Sequence, residues 1–304
     1  MIERREYRGW PNCIRLANRH LELIATTDVG PRVIHVGPIG GPNLFHVAPD
    51  TAGMTGGTEW RSYGGHRLWH APEVTPRTYA PDNEPIRHDW DGRSLTLAMT
   101  ERDTGLEKEI TVAVADSEPA VEVTHRLVNR GPWPVELAPW ALSVMAPGGV
   151  FVLPHEEYRP HPEVLTPARP LVLWHYTDMA DPRWTWGARV VALRQDPAAT
   201  TKQKIGALNS RGWAAYVNAG IAFVKRYAAV PGARYPDMGA NTEAFTDAEM
   251  LEFETLGPLT VLEPGAHVDH AERWFVARLS GEPDVDGMAD QLTQLIERTD
   301  RGAA

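Results

Sequence analysis

The sequence is poor in cysteine, in basic runs and in long apolar stretches, and each shortage excludes a class of protein. Cys13 is the only cysteine, so neither an internal disulfide nor a Cys-rich zinc site can form. The net charge of −10, with no basic run to offset it, disfavours binding to nucleic acid. No apolar run approaches the roughly 18 residues of a membrane helix. The N-terminal MIERREYRGW lacks the apolar core of a signal peptide, so we expect a cytoplasmic protein that does not bind a membrane.

Several motifs of well-known chemistries are also missing. The chain contains no Gly-x-Ser-x-Gly elbow, no phosphate-binding loop and no Gly-x-Gly-x-x-Gly segment leading into a helix. Cys13 lies in an apolar segment near the N-terminus, which makes it a poor nucleophile. The sequence therefore predicts no cofactor.

Glycine and proline are abundant, by contrast, and indicate the class of fold. Each occurs 26 times in the 304 residues, spread along the chain, which is typical of many short strands joined by turns. Only Val285–Arg298 has apolar residues at helical spacing. No repeat or linker divides the sequence, so we expect a single domain over residues 1–304, all-β and mostly antiparallel, with a short C-terminal helix.

The clearest local signals are strands bounded by turns. Asp91-Gly92 predicts a hairpin between Ile86–Trp90 and Ser94–Thr100. The other predicted strands are Cys13–Leu16, His20–Thr26, Arg32–Gly37, Leu106–Ala115, Ala120–Asn129, Val135–Met145, Ala188–Leu193, Ile205–Leu208, Trp213–Asn218, Ile221–Tyr227, Ala248–Thr255 and His267–Leu279.

Four segments, in this order, carry a resemblance to a known family. They are LIATTDVGPRVI at 23–34, GGHR at 64–67, EFETLGP at 252–258 and LEPG at 262–265. Together they resemble the galactose mutarotase-like superfamily, which includes the aldose 1-epimerases. The resemblance implies a β-supersandwich, in which two large antiparallel sheets form a curved cleft for a sugar.

The resemblance also implies roles for particular residues. A late-strand glutamate of the family acts as general base on the anomeric hydroxyl, and it maps to Glu254, or to Glu252 if the register differs by one pair. An imidazole acts as general acid on the ring oxygen and maps to His66, with Arg67 beside it as a donor to sugar hydroxyls. The family's second histidine is expected near residues 129–145, where this sequence has no histidine and Trp140 stands instead.

The two glutamates support an acid/base role on their own account. On a strand, Glu252 and Glu254 point to the same side, and two neighbouring carboxylates repel, so one of them tends to keep its proton when both are buried. The alternative is a polar stripe that faces solvent.

The segment around Gly64-Gly65 holds the densest group of reactive side chains. The group comprises His66, Arg67, His70 and Glu73. These residues could bind hydroxyls and transfer protons, could hold a metal through the two histidines with Glu73 or a distant carboxylate, or could form ordinary structural hydrogen bonds.

Other candidates are more isolated. Lys225 lies in an otherwise apolar strand and could pair with Glu252 or Glu254 in a cleft, or extend to water at the strand end. His270 and Glu272 are expected on an exposed rim, and His125 in the core or on the sheet surface.

Three further residues could contact a sugar directly. Trp69 and Trp140 are possible stacking platforms, although tryptophan is more often structural. Asn241 could exchange a hydrogen bond with a sugar hydroxyl.

These observations give one leading hypothesis and two alternatives. The leading hypothesis is a carbohydrate-binding enzyme that interconverts sugar anomers by acid/base ring opening, with Glu254 as base and His66 as acid. It requires Glu252 and Glu254 to point into the hollow that His66 lines. The alternatives are a non-catalytic carbohydrate-binding protein, or a metal-dependent sugar lyase or hydrolase with His66 and His70 as ligands.

Overall fold

The structure, a computed structural model, describes residues 2–281 and 283–301. Its strands, numbered along the chain, are β1 (Ile2–Tyr7), β2 (Trp10–Ala17), β3 (Leu21–Thr26), β4 (Arg32–Pro38), β5 (His66–Ala71), β6 (Arg87–Trp90), β7 (Leu95–Thr100), β8 (Leu106–Val114), β9 (Ala120–Asn129), β10 (Val135–Met145), β11 (Val150–Pro154), β12 (Leu171–Leu173), β13 (Trp184–Trp186), β14 (Val190–Arg194), β15 (Gln203–Ala207), β16 (Trp213–Asn218), β17 (Ile221–Tyr227), β18 (Thr242–Thr246), β19 (Leu251–Leu256), β20 (Thr260–Leu262) and β21 (His267–Arg278). Short 3-10 turns lie at Arg77–Tyr79 and Asp237–Gly239, and the helix α1 spans Val285–Arg301.

The strands form two large antiparallel sheets. The first sheet runs in the order β1-β2-β3-β4-β5-β10-β19-β18-β15-β12, with β20 also paired to β10. The second sheet runs β13-β14-β11-β16-β17-β21-β9-β8-β7-β6. This architecture confirms the predicted all-β supersandwich with a C-terminal helix. Within the described residues, no helix is both long enough and apolar enough to cross a membrane.

The main hydrophobic core lies between the two sheets. From the first sheet it receives Leu68 and Phe253, and from the second it receives Phe151, Phe223 and Trp274. The ring of Phe223 packs edge-on against Trp274 at 5.3 Å. Burial of this much apolar surface, at about 25 cal/mol per Å², is the main force that holds the sheets together.

A smaller apolar cluster covers the opposite face of the first sheet. It includes Trp69, Trp140 and Leu256, with Trp60 and Tyr79 packed against them from loops. We call this side the outer face, to distinguish it from the inner face that meets the second sheet. The first sheet is therefore buried on both sides along its central strands.

Most strands lie where the sequence predicts them. The Asp91-Gly92 hairpin joins β6 to β7 as expected, with Gly92 at a φ of 100°, which suits glycine. The bounds of β9, β10, β16 and β17 match the prediction. Strands β5 and β18 were not among the predicted strands. These two strands carry much of the candidate site.

Candidate functional site

The alternation of side chains along β5, β10 and β19 divides the polar residues between the two faces. On β19, Leu251 and Phe253 enter the core between the sheets, so Glu252 and Glu254 point to the outer face. On β5, Arg67 shares that outer face, and it is aligned with Glu254 through Leu142 of β10. His66 points the other way. The structure therefore separates residues that the sequence analysis places together.

Glu254 lies at the centre of the outer-face group. Its Oε2 accepts a hydrogen bond from Trp140 Nε1 at 2.9 Å and another from Lys204 Nζ at 3.1 Å. The ammonium group also contacts Glu243 Oε2 at 2.9 Å and lies 4.6 Å from the centroid of the Trp174 ring. Burial lowers the pKa of Lys204, but the two carboxyl groups outweigh burial and hold that pKa well above its ordinary value. Lys204 is therefore a fixed positive charge.

Glu252 and Arg67 form a second ion pair on the same face. Arg67 Nη2 donates to Glu252 Oε1 at 2.9 Å, and the guanidinium carbon lies 4.3 Å from the centroid of the Trp69 ring. Burial raises the pKa of Glu252, and the pairing with Arg67 opposes this without cancelling it. The Glu252 side chain keeps 15% of its surface exposed, so this pair lies at the solvent side of the group.

Several buried polar atoms of the outer-face group have no hydrogen-bond partner. They include Glu254 Oε1 and the Nε and Nη1 atoms of Arg67. Buried polar atoms are nearly always paired in proteins, so the unpaired atoms of this group indicate a place for a polar ligand or water. A carboxylate oxygen that can accept and a guanidinium that can donate are suited to hydroxyl groups.

His66 lies on the inner face, within a hydrogen-bonded network between the sheets. Its Nδ1 lies 2.8 Å from Ser143 Oγ, and its Nε2 lies 2.6 Å from His125 Nε2. The prediction that His66 lines the same hollow as Glu252 and Glu254 is wrong. Side chains alternate along β5, so Arg67 points to the outer face and His66 to the inner face. The first sheet therefore lies between this imidazole and both carboxyl groups.

Lys225 belongs to this interior network too. Its Nζ lies 3.1 Å from Glu272 Oε1, and both side chains are fully buried. The predicted pairing with Glu252 or Glu254 is therefore wrong, as is the predicted exposed rim for His270 and Glu272. His270 is almost completely buried, and its Nε2 lies 2.8 Å from the Thr255 hydroxyl, which in turn donates to Glu272.

The hydrogen bonds of the network specify neutral histidines. His125 Nδ1 donates to the carbonyl of His270 at 2.9 Å, so its Nε2 must accept the proton of His66 Nε2. Burial lowers the pKa of His66 and His125, and it lowers the pKa of His270 to about 3. Burial alone would raise the pKa of Glu272, but the Lys225 ammonium and the hydrogen bond from the Thr255 hydroxyl lower it to about 2.

The same network contains a triad with metal-like spacing. One atom each of His66, His125 and Glu272 lie within 4.8 Å of one another. The two Nε2 atoms share one proton at hydrogen-bond distance, and the Glu272 oxygens are taken by Lys225 and by Trp274 Nε1 at 2.6 Å. An ammonium beside the carboxylate also repels a cation. These residues fit a closed hydrogen-bond network and not a metal.

The metal hypothesis based on His70 is likewise not supported. His70 points to the inner face like His66, near the charges of Lys108 and Arg77, and burial lowers its pKa to about 3. Glu73 instead binds Tyr79, which packs on the outer-face aromatic rings. The proposed ligands therefore do not converge, and His70 does not reach the outer face to orient a sugar.

The three residues that were predicted to contact a sugar directly are instead packed against or hydrogen-bonded to other parts of the chain. Trp69 is 6% exposed and Trp140 is 3% exposed, and their rings pack edge to face at 5.4 Å. They form a wall of the outer-face group and are not the open stacking platforms that the sequence predicts. Asn241 is buried, where its Oδ1 accepts from Asn209 N at 2.7 Å and its amide donates to the Asn209 carbonyl, so it holds a loop.

Sequence reasoning missed Lys204 and Glu243. Lys204 is the residue before the predicted strand Ile205–Leu208, and Glu243 lies in a strand that was not predicted. The β-prone residues Thr242, Phe245 and Thr246, followed by the turn at Asp247, are the signal that could have revealed β18 as the hairpin partner of β19.

Comparison with other proteins finds similar solved structures but no matching family model or curated protein. No family model matches the chain. No curated protein matches it either. Among solved structures, the Slr1438 protein from Synechocystis sp. PCC 6803 aligns over 90% of this chain and 98% of its own, with a TM-score of 0.58 and 11% identity. A galactose mutarotase-like protein from Lactobacillus casei aligns over 88% of this chain and 100% of its own, with a TM-score of 0.55 and 9% identity.

A third structure agrees with these two. The galactose mutarotase related enzyme from Lactobacillus acidophilus aligns over 89% of this chain and 99% of its own, with a TM-score of 0.52 and 8% identity. The chain has the galactose mutarotase-like fold. At such low identities this likeness establishes the fold alone.

The buried pair Lys225–Glu272 gives a prediction about stability. The change Lys225→Met leaves the Glu272 carboxylate buried without its counter-charge, so the free energy of unfolding should fall by about 3–5 kcal/mol. Urea denaturation measures this difference. The exposed Lys202, changed to Met in the same way, is the control and should alter stability by less than about 0.5 kcal/mol. Equal effects of the two changes would contradict the ion-pair assignment.

The neutral His270 gives a prediction about pH. Its pKa rises from about 3 in the folded chain to the ordinary 6.5 on unfolding. The unfolded chain therefore takes up a proton below pH 6.5, and the stability due to this group is lost as the pH falls from 6.5 towards 3. Between pH 6.5 and 5 the wild-type protein should lose about 2 kcal/mol more than His270→Gln does. Urea titrations at both pH values test this, and identical losses would contradict it.

Proposed function

We propose that this chain binds an aldose on the outer face of the first sheet and interconverts its anomers by acid/base ring opening. The base is Glu254. The observation that carries the proposal is its unpaired, buried Oε1, beside an Oε2 that Lys204 and Trp140 hold in place. A carboxylate so arranged has one oxygen fixed and one free to accept the proton of the anomeric hydroxyl.

The neighbouring residues supply the binding of the sugar. Arg67 has two unpaired nitrogen atoms on the same face, which can donate to hydroxyls, and Glu252 beside it can accept. Tyr176, with 44% of its surface exposed, lies near the Lys204 and Glu254 charges and offers an aromatic face for the apolar side of a sugar ring. The mutarotase-like names of the neighbouring structures support a sugar as ligand.

A non-catalytic carbohydrate-binding protein is the second candidate. It is favoured by Trp140, which occupies the β10 position where the resemblance implies a histidine, and by the inward position of His66. Calorimetry with saccharides separates the two candidates, because this one predicts heat of binding without any exchange of anomers.

The change Glu254→Gln tests the proposed base. It removes the proton acceptor but keeps the shape of the side chain, so the catalysed exchange between α and β anomers should fall by about 10²–10⁴-fold. Saturation-transfer NMR on a panel of common aldoses measures the exchange rate. Glu263→Gln, at an exposed position, is the matched control and should leave the rate unchanged.

The wild-type rate decides whether the enzyme proposal stands. If no aldose of the panel exchanges faster than in buffer alone, the epimerase proposal fails. If the wild type is active and Glu254→Gln is equally active, the reaction stands but Glu254 is not its base.

A further inference from the structure

Two carboxyl groups meet directly across β18 and β19. Glu243 and Glu254 are cross-strand partners, so their side chains lie next to each other on the outer face. Both are almost completely buried, and one ammonium bridges them, since Lys204 Nζ lies 2.9 Å from Glu243 Oε2 and 3.1 Å from Glu254 Oε2. One positive charge therefore serves two acidic groups in a site with little water.

A third acidic group approaches from a loop. Asp237 lies close enough for its charge to raise the pKa of Glu243. Asp237 and the following Met238 have φ values of 49° and 59°, in the left-handed region that costs energy for residues other than glycine. Strain of this kind persists where the surrounding structure fixes it, here in the turn that brings Asp237 near Glu243.

The two members of the pair have unlike surroundings. Glu254 accepts hydrogen bonds from two donors, Trp140 Nε1 and Lys204 Nζ. Glu243 receives only the ammonium and faces two other carboxyl groups. Burial, and then the charges of Glu254 and Asp237, hold the pKa of Glu243 well above its ordinary value, against the opposing effect of Lys204. Adjacent carboxyl groups in such different environments are the usual basis for dividing the roles of acid and base.

We propose that Glu243 is the general acid that works opposite Glu254, in place of the histidine that this chain lacks on its outer face. This inference rests on the proposed function. It names the missing half of that reaction from the position of Glu243 beside the base.

The ring-opening step moves one proton from the sugar to Glu254 and one proton from Glu243 to the sugar. Glu254 removes the proton of the anomeric hydroxyl, that oxygen forms a double bond to C1, and the bond between C1 and the ring oxygen breaks. The ring oxygen takes the bond's electron pair and receives the proton of Glu243. After rotation about C1–C2, the Glu243 carboxylate takes this proton back as the ring oxygen attacks C1. The new anomeric oxygen recovers its proton from Glu254.

The groups around Glu243 predict a pH profile for this step. Glu243 interacts with Lys204 from β15, Glu254 from β19 and Asp237 from the 3-10 turn, and Tyr176 lies close enough to interact with it electrostatically. Glu73 acts on Asp237 and Tyr176. Activity requires Glu243 with its proton, so it should decline at high pH as that proton is lost. Removal of the Asp237 charge should lower the pKa of Glu243, so the activity should begin to fall at a lower pH.

Glu243→Gln is the first test. The amide cannot release a proton, so anomer exchange should fall by about 10²–10⁴-fold while calorimetric binding of the same sugar persists. An infrared difference spectrum, wild type minus variant at pH 7, should show the carbonyl band of a protonated carboxyl group. Circular dichroism verifies that the variant is folded, and Glu243→Asp, which keeps an acid, should recover part of the rate.

Asp237→Asn is the second test and does not depend on the first. This variant should show the high-pH decline of its rate at a lower pH than the wild type, whatever its maximal rate. The exposed Asp50, changed to Asn, is the matched control and should leave the profile in place.

The outcomes separate this inference from the proposed function. An active wild type whose rate survives Glu243→Gln, or whose infrared difference lacks the band, overturns the role of Glu243 and leaves the epimerase proposal standing. A wild type without any anomer exchange overturns both.

Discussion

The two-residue alternation of the central strands of the first sheet is the constraint on which the chemistry depends. Because β5, β10 and β19 are buried on both sides, each face must balance its own charges. On the inner face Lys225 neutralises Glu272, and on the outer face Lys204 neutralises Glu254. Neither lysine can substitute for the other, since the sheet lies between them. A shift of β19 by one residue would exchange its core and site residues together.

The two polar groups differ in how completely they are paired. Inside, a continuous series of hydrogen bonds runs from Ser143 through His66 and His125 to the carbonyl of His270, with every histidine neutral. Such a network stabilises one arrangement of the sheets, and each of its protons is already held between two of its own groups. Outside, Glu254 and Arg67 retain buried atoms without partners. The complete network is structural, and the incomplete one is where we propose that a ligand binds.

Local signals in the sequence were enough to predict most of the fold but could not assign the faces. The hairpin at Asp91-Gly92 depends only on nearby residues, and α1 begins at Val285 where its apolar spacing begins. The face to which His66 points could not be predicted in this way. Every residue of β5 is buried, so an alternation of apolar and polar residues does not distinguish the inner face from the outer face. Glu252 and Glu254 were correctly expected to share a side. Lys204 and Glu243 come next to them only through the pairing of β15, β18 and β19, which is a long-range property.

The central claim is that ligand chemistry belongs to the outer face, at Glu254. The most direct measurement is a crystal structure with an aldose bound. We predict that the anomeric hydroxyl lies within about 2.6–3.2 Å of Glu254 Oε1, the range of a proton-transfer contact. A sugar bound elsewhere on the surface, or next to His66 between the sheets, would contradict the account.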